Sequence, residues 1–171
     1  MISEAPDEPD HVDRVRAQWR DARPDLDTTP MGIVARVGRT ASYYDRAVNA
    51  QLGEHGLNRG AWDVLASLRR EGPPYELSPT ALYRGLMRTS GAMTNRLHKL
   101  EAAGLIERRR DPDDGRGIVV RLTELGRAVV DEVAPLHLDN ERQLLSPLSA
   151  EEHASLEAIL RKLLRELELE R

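Results

Sequence analysis

The chain has 171 residues, 25 Lys or Arg against 29 Asp or Glu, a formal charge of −4 and no cysteine. That length suits one compact domain with an added helical element, and the composition excludes disulfides and any thiol redox switch. No run approaches the roughly 20 apolar residues of a membrane span, and the acidic opening MISEAPDEPDHVD lacks the basic and apolar regions of an export signal, so a cytoplasmic protein with no membrane partner is expected.

Residues 30–52 place Val34, Val37, Ala41, Tyr44 and Val48 at alternating three- and four-residue spacings, which predicts a long helix with one apolar stripe. A second helix is predicted over Arg59 to Arg70, with Ala61, Val64, Leu65 and Leu68 on one face. The next helix opens with Ser78 as N-cap and Pro79 at the first helical position. It runs as PTALYRGLM to a break near Arg88. Thr89 or Ser90 caps the following helix, SGAMTNRLHKLEAA, which stops at Gly104, the residue best suited to a left-handed C-terminal position. LIERRR, the turn-forming DPDDGRG and the alternating IVVRLT then read as a β-hairpin with a charged tip.

Thr123 caps a further helix whose course Pro135 is expected to interrupt, and Pro147 precedes the last one. The last helix starts with a capping box, Ser149 and Glu152, and carries Leu156, Ile159, Leu160, Leu163, Leu164 and Leu167. Such a stripe needs a partner surface: the chain's own core, or a second subunit together with the first long helix.

The economical reading is a mainly α protein with a small β-hairpin wing, a winged helix-turn-helix plus a helical dimerisation region. Residues 28–58 hold the first long helix on the dimerisation side, 59–123 the winged helix-turn-helix, and 124–171 the C-terminal dimerisation helices. A homodimer is expected, because one winged helix reads only a short half-site.

Charge supports DNA as a partner once it is divided along the chain. Residues 78–122 carry nine basic against five acidic side chains inside an acidic protein. A phosphate backbone meets that local field, within a Debye length of about 10 Å, rather than the net charge.

At about 100° per residue, Met93, Leu97 and Leu100 share the inward face of the second motif helix. Gly91, Asn95 and His98 then point away, with Thr94 at their border. Ser90, Thr94 and Asn95 suit base edges in the major groove, and glycine permits close backbone approach. Arg88 suits a phosphate, and Arg108, Arg109 and Arg110 as a group supply backbone electrostatics. Arg96 does not fit the reading face, and Arg108 shares a strand face with Ile106, a core position. Two inward arginines ask for an acid or an anion; Asp63 is one candidate partner and a bound ligand another.

An enzyme is disfavoured. There is no glycine-rich phosphate loop and no cysteine nucleophile, and His11, His55, His98, His137 and His153 show no tight metal-ligand spacing. No cofactor and no metal are expected.

Over about residues 30 to 170 the sequence resembles the MarR family of bacterial transcription regulators, most specifically in GLIERR and DDGRGIVVRLTELG. The resemblance implies a homodimer on a pseudo-palindromic operator, with repression relieved by a small molecule bound between the DNA-binding and dimerisation regions. It also implies that Arg116 at the wing tip enters the adjacent minor groove, where A/T-rich tracts favour an inserted arginine. Residues 1–27 then form an N-terminal extension. Its HVDRVRAQWRDARPDLDTTPM is similar to the extra tryptophan-bearing helix of the urate-responsive, PecS-like branch. That branch implies a ligand site of Trp19, Asp63, Arg96 and Arg108. Urate is a flat purine, largely monoanionic near neutral pH; arginine offers it a planar fork and tryptophan a stacking face. Two alternatives stand beside urate: another carboxylate or aromatic effector such as trans-aconitate, and a winged-helix module with no effector at all.

Overall fold

Side chains that cap decide where most of these helices begin. A computed structural model describes residues 8–86, 90–111 and 117–169, in two compact units, Met1–Ala47 and Val48–Arg171.

In the first unit, helix α1 (His11–Ala22) starts at Asp10, whose carboxylate accepts the N–H groups of Val12 at 2.7 Å and Asp13 at 2.9 Å. The Asp13 carboxylate accepts the Asp10 N–H in return at 3.2 Å, completing a capping box. Helix α2 (Thr29–Gly53) follows. Its Arg36 holds Asp10 through Nε at 2.8 Å and Asp13 through Nη2 at 2.7 Å, while Nη1 donates to the Gly32 carbonyl at 3.0 Å. The predicted α2 stripe is helical and divided: Val34 is 71% exposed and Val37 and Ala41 are exposed as well, Tyr44 is half-buried, and Val48, where the second unit begins, is buried in the core.

The second unit contains the core. Helix α3 (Arg59–Glu71) is capped by Asn58, whose side chain accepts the Ala61 N–H at 2.9 Å. It buries Trp62, Val64, Leu65, Ala66 and Leu68. Strand β1 (Glu76–Leu77) leads into helix α4 (Pro79–Gly85), where Ser78 Oγ accepts the Ala81 N–H at 3.1 Å. Helix α5 (Ser90–Ala102) gives way at Gly104, which adopts φ +70°. Strands β2 (Ile106–Arg110) and β3 (Ile118–Leu122) pair antiparallel, Ile106 opposite Leu122 and Arg108 opposite Val120.

The hairpin gains a third strand that alternation in the sequence did not indicate. β1 pairs with β3, Leu77 opposite Val120, giving the order β1-β3-β2. A two-residue strand has no periodicity of its own, and pairing alone defines it.

Thr123 joins the sheet to helix α6 (Glu124–Leu145). Its hydroxyl donates to the Gly104 carbonyl at 2.7 Å and accepts the Gly126 N–H at 2.9 Å, while its own N–H reaches the Leu105 carbonyl at 3.1 Å. The expected interruption at Pro135 is corrected: α6 runs straight through it. Val130 and Val133 before the proline are buried, and Leu144 beyond it packs on the same core. Pro135 and Asp131, whose carbonyl loses its helical donor, both face solvent, so water can satisfy that oxygen. Burial on both sides of the proline outweighs a penalty of about 3 kcal/mol.

Helix α7 (Ala150–Leu169) opens with the expected capping box, Ser149 N–H to Glu152 Oε2 at 2.8 Å and Glu152 N–H to Ser149 Oγ at 3.3 Å. None of its residues is buried, and its leucine stripe lies open.

Candidate nucleic-acid interface and adjoining cavity

Helix α5 is two-faced. Met93, Leu97 and Leu100 are buried against the core, as the 100° geometry requires, while Thr94, Asn95 and His98 are exposed on the other side. Ser90 and Gly91 stand at the N-terminal end of α5, their side chains outside the described residues, as are Arg88 and Arg116 altogether. The exposed end of the sheet is basic: Arg109 and Arg110 point to solvent, and Arg121 is half-buried opposite Glu107. Glu107 also faces Arg109 at 3.7 Å, a solvent-screened pair worth little.

The inward arginines have different surroundings. Arg108 is half-buried beside Glu101 of α5, Nε to Oε2 3.7 Å. Glu101 was not anticipated as its partner; it is distant from Arg108 in alternation but is brought near by the tight passage from α5 into β2. Arg96 reaches across to α3, its guanidinium over Gly60, where a β-carbon would collide with Nη2, Cζ and Nε. Its Nη1 is fully buried and has no hydrogen-bond partner among the described residues. Asp63 lies one turn further along α3, half-buried; among the described residues it forms no ion pair with Arg96 or Arg108. Trp19 is on α1 in the first unit, 41% exposed.

Arg96 also borders a cavity of about 390 Å³ between the start of α3 and α5. Leu57, Ala61 and Leu100 supply its apolar wall, and Asn58, Asn95 and Lys99 its polar groups. Sequence reasoning passed over Lys99 and Gly60. The first reads as an ordinary solvated helix residue, and the second acquires meaning only once another helix lies across it. Among the described residues no cluster of His, Cys, Asp or Glu could hold a metal, and no helix is long and apolar enough to cross a membrane.

A helix pair with one exposed polar face, preceded by β1 and followed by the basic hairpin β2–β3 that completes the sheet, defines a winged helix-turn-helix protein. Residues 55–117 match the model of the MarR family. Over 149 residues the chain is 38% identical to the HTH-type transcriptional regulator PecS of Dickeya dadantii, spanning 87% of this chain and 90% of PecS. It is 33% identical over 121 residues to the multiple antibiotic resistance protein MarR of Escherichia coli, spanning 70% and 82%. Among solved structures, a mutant of Escherichia coli MarR complexed with operator DNA superposes with a TM-score of 0.71 at 28% identity, covering 85% of this chain and 97% of that one. Sco3205 of Streptomyces coelicolor, a MarR family regulator in complex with DNA, gives 0.74 at 28% identity, covering 84% and 91%. The chain belongs to the MarR family of transcription regulators.

Proposed function

We propose that this chain is a homodimeric repressor that binds double-stranded DNA at a pseudo-palindromic operator and is released from it by a small organic anion such as urate. The observation that carries the DNA reading is the division of α5, with Met93, Leu97 and Leu100 inward and Thr94, Asn95 and His98 outward. In this reading the outward residues, with Ser90 and Gly91, meet base edges in the major groove. Arg88 and Arg110 meet phosphates, and Arg116 enters the minor groove beside them.

Self-association is supported by α7, a 20-residue helix with an open leucine stripe and no buried residue, and separately by the exposed Val34 and Val37 in the first half of α2. Twenty-residue amphipathic helices are covered in folded proteins, and a second copy of the chain supplies the cover here.

For the effector, Arg96 brings a buried, unpartnered donor and Arg108 a half-buried guanidinium, with Asp63 near enough in sequence to Gly60 to feel a charge placed beside Arg96. Trp19 enters as a ligand residue through the family resemblance alone. Urate is favoured over trans-aconitate because its flat ring suits the stacking of a planar guanidinium.

The test is a gel-shift titration on the intergenic DNA beside the gene, at one salt concentration, with and without millimolar urate. Release by urate and not by a neutral purine of the same size supports the reading. Binding that ignores urate but yields to trans-aconitate replaces the effector. Binding that ignores every anion leaves an effector-independent DNA-binding protein.

A further inference from the structure

We infer that Lys99 and Gly60 complete the anion site that Arg96 begins, Lys99 as a second cation on the ligand and Gly60 as the positioning residue that lets the guanidinium lie in the cavity. The inference rests on Arg96 as an effector residue and adds the two neighbours that make it one.

The cavity is electrically one-sided. Arg96 and Lys99 both line it, and no Asp or Glu does. Among the described residues Arg96 Nη1 is buried without an acceptor, and the same side chain lines the cavity. An unmet donor on a buried cation is expensive, and an oxyanion is the group that satisfies it best. Lys99 follows Arg96 by three residues, which puts the two on one side of α5. Like charges at that spacing repel, and a shared anion turns the repulsion into attraction. Among the described residues Lys99 has no carboxylate partner of its own. The chain has only two lysines among its 25 basic residues, so this position holds a mobile ammonium where the sequence otherwise uses arginine. The positive end of α3, a 13-residue helix, adds to the same field.

Gly60 decides whether Arg96 can take part. The guanidinium lies on the Gly60 backbone, in the space that any side chain would fill. With a methyl group there, the Arg96 guanidinium must leave its present place beside the cavity.

The ligand this arrangement takes is a compact planar monoanion. Its charged edge meets the Arg96 fork and the Lys99 ammonium, and its ring rests on Leu57, Ala61 and Leu100. The volume, about 390 Å³, lies at the small end of ligand cavities. Asn95 lines the cavity and also belongs to the outward face of α5, so a bound anion engages a residue that a base edge would need.

The experiment is calorimetric titration of the full chain with urate, and separately with benzoate, using wild type, Gly60→Ala, Lys99→Gln, Arg96→Gln and, as a charge control, Lys162→Gln. Circular dichroism and melting establish folding; alanine is the better helix former at Gly60, and the exposed Lys99 variant carries the test if Gly60→Ala does not fold. The expected result is anion affinity reduced about tenfold or more by Lys99→Gln and by Gly60→Ala, with Lys162→Gln within about twofold of wild type. Wild-type affinity in both Lys99→Gln and Gly60→Ala, alongside loss in Arg96→Gln, overturns this inference and leaves Arg96 as an effector residue. A wild-type chain that binds neither anion overturns both.

Discussion

Gly126, in the first turn of α6, stands against the carbonyl oxygen of Leu105 so closely that a β-carbon would overlap it. The obstacle is backbone, held in turn by the Thr123 N–H, and cannot swing aside as a side-chain tip can. Gly126→Ala should therefore destabilise the chain by about 1–3 kcal/mol, although alanine has the better helix propensity by about 1 kcal/mol. Among the described residues nothing lies within 4 Å of a would-be β-carbon at Gly85, and Gly85→Ala should be neutral or mildly stabilising. Paired urea melts of the two variants check both directions.

Asp10 and Asp13 each serve α1 twice, once in its capping box and once in the grip of Arg36. The Asp13 N–H, the largest influence, and then Arg36 hold the Asp10 carboxyl well below its usual value of 3.8, at about 2. A depressed carboxyl stabilises fully above its unfolded value, and that contribution is lost as pH falls through about 2. Protection of the His11–Ala22 amides, measured against their intrinsic exchange rate at each pH, should hold from neutrality down to about pH 4 and fall below it. Arg36→Gln should lower the protection of the same amides at neutral pH.

Since α7 buries none of its residues within the chain, changing its stripe should leave the winged unit folded. Leu160→Glu with Leu164→Glu is expected to reduce the particle from about twice the 19.2 kDa chain mass to one chain mass, read by light scattering. Near-UV dichroism from the buried Trp62 should be retained. An unchanged particle mass would remove α7 from the dimer interface.

Asn95 and Arg110 are both exposed, and their loss should differ in kind. Asn95→Ala should cost about 1–3 kcal/mol on the operator and relax base preference at one position. Arg110→Ala should weaken all sequences alike and lower the salt slope by about one. Fluorescence anisotropy at several salt concentrations, on operator and scrambled DNA, separates the two.

What the sequence made legible was local. Ser78, Thr123 and the Ser149–Glu152 pair announce helix starts because a cap is set by neighbours within one turn. Met93, Leu97 and Leu100 announce an inward face because helical period converts spacing into direction. Interactions between elements were not legible. Glu76–Leu77 becomes a strand only through β3, Glu101 becomes the neighbour of Arg108 only through the turn at Gly104, and Pro135 is tolerated only because Val130, Val133 and Leu144 anchor α6 on both sides. The same holds at the cavity. Arg96 stood out as a cation on the wrong face, but Gly60 and Lys99 carry no signal until α3 and α5 are packed together.

The joint at Thr123 gives α5 and α6 a mechanical relationship. One hydroxyl ties the residue that ends α5 to the first turn of α6, and the backbone beside it is locked to Leu105, whose own N–H returns to Leu100. Two helices joined at one end share a pivot at Thr123, and because Val130, Val133 and Leu144 hold α6 on the core, a tilt passed through the joint has to carry that part of the core with it. The α6 arm has 22 residues, about 33 Å of helix, so a tilt of about 5° carried through the joint sweeps its far end by about 3 Å.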